Sequence, residues 1–110
     1  MQTVVETPVF IRKARKLLSA DEHFELITFL AANPEEGDLV VGTHGVRKVR
    51  FSARGKGKSG GVRVIYYFHD VDAPVYALLI YGKDERADLT ADQRKSVAAF
   101  AEAIRSARKR

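Results

Sequence analysis

Two runs, Val62–Phe68 and 75–81, are apolar at nearly every position and are separated by the turn-forming residues 70–74. A strand with one solvated face alternates apolar and polar side chains, whereas a continuous apolar run needs cover on both faces. The chain must therefore build an interior hairpin and supply a layer for each of its sides.

The segments flanking the hairpin can supply those layers. Residues 2–6 are short and β-branched, and Thr7-Pro8 then gives an N-cap followed by proline at the first helical position, where its missing N–H costs nothing. Phe10, Ala14, Leu17 and Leu18 form one helical stripe, with Arg12, Lys13, Arg15 and Lys16 on the remaining, solvated face. Ser19 and Glu22 form a capping box, and Phe24, Ile27, Leu30 and Ala31 continue at helical spacing until Asn33-Pro34. These two helices are expected to form a hairpin. After the turn-rich residues 35–45, Arg47, Val49 and Phe51 alternate with Val46, Lys48 and Arg50, which predicts a strand with Lys48 and Arg50 on one face. Residues 52–61, with four glycines, read as a loop. Thr90 and Gln93 form another capping box, and Val97, Phe100, Ala101 and Ile104 a stripe that can pack on the sheet. The expected order is β-α-α-β-β-β-α, an α+β fold with a small, mainly antiparallel sheet, in one domain spanning 1–110. Only the basic run 105–110 reads as detachable.

The absence of cysteine excludes disulfide frameworks, thiolate metal sites and cysteine nucleophiles. The longest apolar run, seven residues, is far below a membrane span of ~20, and the amino terminus has no secretory signal pattern, so a cytoplasmic protein is expected. The net charge of +5 is localised: residues 47–63 hold seven basic side chains (Arg47, Lys48, Arg50, Arg54, Lys56, Lys58, Arg63) and no acid. The rest of the chain balances 12 basic against 14 acidic residues, so the excess points to a polyanionic partner for one stretch.

Gly55-x-Gly57-x-x-Gly60 matches a dinucleotide fingerprint and, with Val62, a kinase glycine loop. Context rejects both: the motif runs into a strand instead of opening a helix, and the chain has no room for kinase machinery. Gly57-Lys58-Ser59 resembles the end of a P-loop, but position 52 is Ser and no helix follows. What survives is a loop of unshielded backbone N–H groups with Arg54, Lys56 and Lys58, suited either to a phosphodiester backbone or to a plain flexible connection. His23, His44 and His69 lack metal-ligand spacing; His44 and His69 are either an acid/base pair or structural residues. Asp84, Glu85 and Asp88 precede a helix, where they can meet its dipole or hold a metal. Arg105, Arg108, Lys109 and Arg110 suit the negative helix end or an RNA contact.

Together, Arg47-Lys48-Val49-Arg50, the glycine-lysine loop, Gly61-Val62-Arg63-Val64-Ile65-Tyr66-Tyr67 and Tyr81-Gly82-Lys83 resemble the RelE/ParE superfamily of toxins, and in particular a HigB-type toxin. The resemblance covers nearly the whole chain. It implies a RelE-like fold and a metal- and cofactor-free endoribonuclease that cuts mRNA in the ribosomal A site, against 16S rRNA. It also implies silencing by a HigA-type helix-turn-helix antitoxin. By position, Lys48 and Arg50 match the two basic residues of the family's second strand, Arg63 the arginine at the scissile phosphate, and Lys83 the lysine after the last strand. Arg47, Arg54, Lys56 and Lys58, with Tyr67 and Tyr81, complete the expected RNA contacts. Two alternatives have other sequence requirements: a ParE-like inhibitor of DNA gyrase, which lacks these ribonuclease residues, and a noncatalytic RNA- or ribosome-binding module.

Metal-free RNA cleavage needs a base for the 2′-OH, cations for the phosphorane and an acid for the departing 5′-oxygen. Lys48 beside Arg47, Arg50 and Arg63 is the expected base, because crowding by like charges favours the neutral amine. Arg50 and Arg63 would neutralise the phosphorane. The family pattern has an arginine and a tyrosine where this chain has Asp84 and Thr90, which leaves Lys83, Tyr81, Tyr67 or His69 to serve as the acid.

Overall fold

The computed structural model describes residues 1–52, 61–83, 85 and 88–108. Along the chain run β1 (Val4–Glu6), α1 (Pro8–Leu17), α2 (Ala20–Ala32), β2 (Asp38–Leu39), β3 (Val46–Phe51), β4 (Val62–Phe68), β5 (Val75–Gly82) and α3 (Ala91–Arg108). The five strands form one sheet in the order β1-β5-β4-β3-β2, antiparallel except for the β1–β5 pair. The architecture is the expected α+β one, and β4 and β5 are interior strands.

Each face of the hairpin has its own layer. Phe10 and Ala14 of α1, its C-cap Leu18, and Leu26 and Leu30 of α2 pack on Val62, Val64, Tyr66, Val75, Ala77 and Ile80. On the opposite face Val97 and Ala101 of α3, with Phe100 and Ile104 at the margin, pack with Val46, Ile65, Tyr67, Leu78 and Tyr81. Burial of this apolar surface at roughly 25 cal/mol per Å² is the main stabilising term of such a layered core.

Local chemistry sets the helix ends. The Thr7 hydroxyl accepts from the Phe10 N–H (3.1 Å), and Ser19 and Glu22 make the reciprocal capping box. Thr90 and Gln93 do the same before α3, each accepting the other's backbone N–H at 3.1 Å.

Four sequence expectations change. Residues 35–45 contain a strand, β2, too short and too exposed to carry a periodic signal. It is followed by a tight turn in which Gly42, His44 and Gly45 take positive φ. The buried stripe of α2 centres on Leu26 and Leu30, leaving Phe24 73% exposed. Helix α3 continues to Arg108, whose guanidinium reaches the Asp72 carbonyl (3.1 Å) and the Asp70 carboxylate (3.8 Å); Lys109 and Arg110 lie outside the described residues. The β4–β5 ladder shifts register between Ile65 and Tyr66, where Ile65 pairs with Leu79 but Tyr66 with Ala77, so Leu78 is the extra residue of a bulge. Among the described residues no helix is long and apolar enough to cross a membrane.

Candidate active site

Paired residues of antiparallel strands point to the same face, so register places the functional side chains. Arg50 of β3 is opposite Arg63 of β4, and Arg63 is opposite Tyr81 of β5. This row lies on the α3 face, at the end of the sheet away from the α3 packing of Val46 and Tyr67. Lys48 stands two residues back on the same face, paired with Ile65. Lys83 is exposed just past β5, and its backbone N–H donates to the Gly61 carbonyl (3.4 Å), which brings it to the start of β4 and near Arg63. The four residues Lys48, Arg50, Arg63 and Lys83 are therefore gathered at one end of the sheet from three strands. Arg54, Lys56, Lys58 and Asp84 lie outside the described residues.

Gly61 closes this end. It holds a φ of +65°, and a Cβ there would stand 2.1 Å from the Phe51 carbonyl oxygen, so only glycine lets the start of β4 approach the end of β3. A second close approach lies under Lys48: the Gly37 N–H donates to the buried Tyr66 hydroxyl (2.8 Å), and a Cβ on Gly37 would meet both the Lys48 carbonyl and that hydroxyl at 2.9 Å.

Several residues named from sequence are placed elsewhere. Arg47 is on the α1–α2 face, half-buried, its guanidinium donating to the carbonyls of Gly37 (2.7 Å) and Glu35 (3.1 Å), so it braces the turn before β2. Tyr67 is 2% exposed beneath α3, with its hydroxyl 3.2 Å from His69 Nδ1; four residues along β4 put it ~13 Å from Arg63. Burial pushes its phenol pKa up, countered in part by Arg105. Tyr81 shares the Arg63 row but is 4% exposed, packed in the core instead of offering a ring face to a base. His69 lies six residues beyond Arg63, roughly 20 Å along the strand, and His44 is at that same far end beside Glu102 (3.7 Å). Neither histidine, nor Tyr67, reaches the arginine row as an acid.

The two described acidic residues just before α3, Glu85 and Asp88, take separate partners. Glu85 accepts from the Gly82 N–H (2.7 Å) and pairs with Lys13, which draws α1 to the rim of the site. Asp88 takes different partners: Lys48 Nζ at 3.5 Å and the Arg94 guanidinium at 3.3 Å. Its bond from the Leu89 N–H (2.8 Å), with Lys48 and Arg94 nearby, holds its carboxyl below the ordinary carboxylate pKa. Asp38 is directly across the ladder from Lys48. Lys48 thus has two carboxylate neighbours, and Arg47, counted among its crowding cations, faces the other way. Thr90 caps α3. Among the described residues no three His, Asp or Glu side chains converge as a metal site.

Arg94 and Lys13 were not read as site residues, and Asp88 was read only as a dipole or metal candidate, not as the partner of Lys48. Their partners are 6, 72 and 40 residues away, spacings that no helix or strand period marks.

The sequence matches, over residues 2–110, the family described as the RelE toxin of the RelE/RelB toxin-antitoxin system. Among solved structures it resembles E. coli toxin RelE, a double mutant in the free state, with a TM-score of 0.57 and 19% identity over 90% of this chain and 95% of that one. At that identity the likeness speaks for the fold, and the family match spans nearly the whole chain. The chain belongs to the RelE toxin family.

Proposed function

We propose that this toxin is a HigB-type, metal-independent endoribonuclease that cuts mRNA in the ribosomal A site and so arrests translation. The observation that carries the reading is the pair Arg50–Arg63, opposite one another in the β3–β4 ladder, with Lys48 two residues back on the same face and Lys83 just past β5. Residues opposite one another on paired strands share a face, so the two arginines can meet one anion together. A phosphorane, which gains charge in the transition state, is stabilised more than the ground-state phosphodiester by such a preorganised pair.

The division of labour follows from placement. Arg50 and Arg63 meet the equatorial oxygens, and neither can act as an acid because a guanidinium keeps its proton. Lys48, two residues from Arg50 on the same face, is the group that accepts the 2′-OH proton. Lys83, exposed at the other side of Arg63, delivers a proton to the departing 5′-oxygen. Its regulation, in this reading, is by a HigA-type helix-turn-helix antitoxin, and action on ribosomes places it in the cytoplasm.

The test is purified protein in a cell-free translation reaction, with new mRNA 5′ ends mapped by primer extension and a parallel reaction lacking ribosomes. Cuts in the translating reaction alone are expected. No cuts in either, from folded protein, would overturn the ribonuclease reading in favour of gyrase inhibition or noncatalytic ribosome binding.

A further inference from the structure

Beside the arginine row a cavity of about 270 Å³ opens between β2, Lys48, Asp88 and Arg94. Two cations from different elements converge on it. Arg94, on α3, donates one guanidinium arm to the Val41 carbonyl (3.2 Å) and the other to Asp88 Oδ2 (3.3 Å). Lys48, on β3, meets Asp88 Oδ1 at 3.5 Å. Each carboxylate oxygen therefore holds one cation, the arrangement that the two non-bridging oxygens of a phosphodiester also adopt.

Asp88 is a weakly seated occupant. Its side chain is 52% exposed, its remaining contact is to the adjacent Leu89 N–H, and exposed ion pairs of this kind are individually weak. Arg94, by contrast, stays oriented by the Val41 carbonyl when Asp88 leaves. Charge fits as well: Lys48 and Arg94 are balanced by Asp88 and Asp38, so withdrawal of Asp88 leaves one net positive charge, matched to a singly charged phosphodiester.

We propose that Lys48 and Arg94 form a phosphate subsite for the RNA strand next to the scissile bond, and that Asp88 fills it in the free protein as a built-in competitor. The inference rests on the RNA-cleaving reading above and adds a residue, Arg94, and a release step to it. Binding of RNA exchanges the Asp88 carboxylate for a phosphate, so the subsite opens only when the strand is seated.

The experiment uses an uncleavable 2′-O-methyl hexanucleotide, followed by fluorescence anisotropy over a salt series. Asp88→Asn keeps the shape and an acceptor for the Leu89 N–H, and is expected to bind about fivefold more tightly than the native protein. Arg94→Gln is expected to weaken binding and lower the salt slope by about 0.7, the value for one phosphate contact on a single strand. In the double variant the gain from Asp88→Asn disappears. Unchanged or weaker binding by a folded Asp88→Asn, or a gain that persists without Arg94, would overturn the proposal. A second readout is independent of ribonuclease activity and of that variant's folding. In native protein titrated with inorganic phosphate, the Arg94 Nε–H and Asp88 carboxyl NMR resonances should move together. If they stay still while cleavage in translating extract proceeds, the subsite falls and the ribonuclease reading stands; joint movement without cleavage has the reverse meaning.

Discussion

Arg50 and Arg63 face each other across the β3–β4 ladder, in register and on the face that α3 covers only farther along. The pair lies at the cationic end of the sheet, outside both buried core clusters. Removal of either arginine therefore tests function apart from folding.

Arg63→Ala is expected to lower the rate of mRNA cleavage about 10²–10³-fold, the loss typical of one transition-state donor. Its unfolding free energy should stay within about 1 kcal/mol of the native value, since Arg63 is only partly buried and belongs to neither core cluster. Primer extension in translating extract and urea unfolding of the same preparation check both halves; full cutting by the variant would remove Arg63 from the mechanism.

Tyr66→Phe deletes the hydroxyl that accepts from the Gly37 N–H in the core. The amide is left buried and unsatisfied, which costs about 1–3 kcal/mol. Urea midpoints measure it, and a loss below about 0.5 kcal/mol would mean that water or a local shift takes the hydroxyl's place.

Gly61→Ala combines a positive φ with a clash against the Phe51 carbonyl. A loss of roughly 2 kcal/mol or more is expected. Because Gly61 also accepts the Lys83 N–H, cleavage should fall in step with the melting temperature.

Alkaline pH tests the buried tyrosines. Desolvation, opposed by the Gly37 N–H and by Arg47, raises the Tyr66 pKa above 10.0, and burial likewise raises that of Tyr67. A folded pKa above the unfolded one means stability is fully present below pH 10.0 and is lost as pH rises through the folded values. Ultraviolet titration should show these two phenols ionising later than in urea-unfolded protein, with unfolding midpoints falling only above that pH. Coincident titration of native and unfolded chains would contradict the burial of both rings.

Much of the site was legible because it lies on regular strands. Alternation put Lys48 and Arg50 on one face of β3, whereas the close backbone approach at Gly61, read from sequence as part of a loop, emerged only from the fold. The capping boxes at Ser19 and Thr90 announced α2 and α3 because a cap is a contact between residues three apart. Alternation already set Arg47 on the face opposite Lys48 and Arg50; what it left out is the pair of carbonyls, 10 and 12 residues back, that holds the guanidinium there. The stripe of α2 drifted for a similar reason, since Phe24 is apolar but lies outside the contact with β4.

The sequence by itself determined the elements and the layering, because helix stripes, caps and two-sided apolar strands are written in local periodicity. Tertiary structure decided what meets across long separations. Alternation counted from Tyr76 would turn Tyr81 toward α1 and α2, but the bulge at Leu78 inserts one residue and brings it onto the α3 face beside Arg63. Asp88 lies 40 residues from Lys48, and only the packing of α3 on the sheet brings that carboxylate to the lysine. Such contacts depend on register and docking, which are properties of the whole packed chain and leave no period in any one segment.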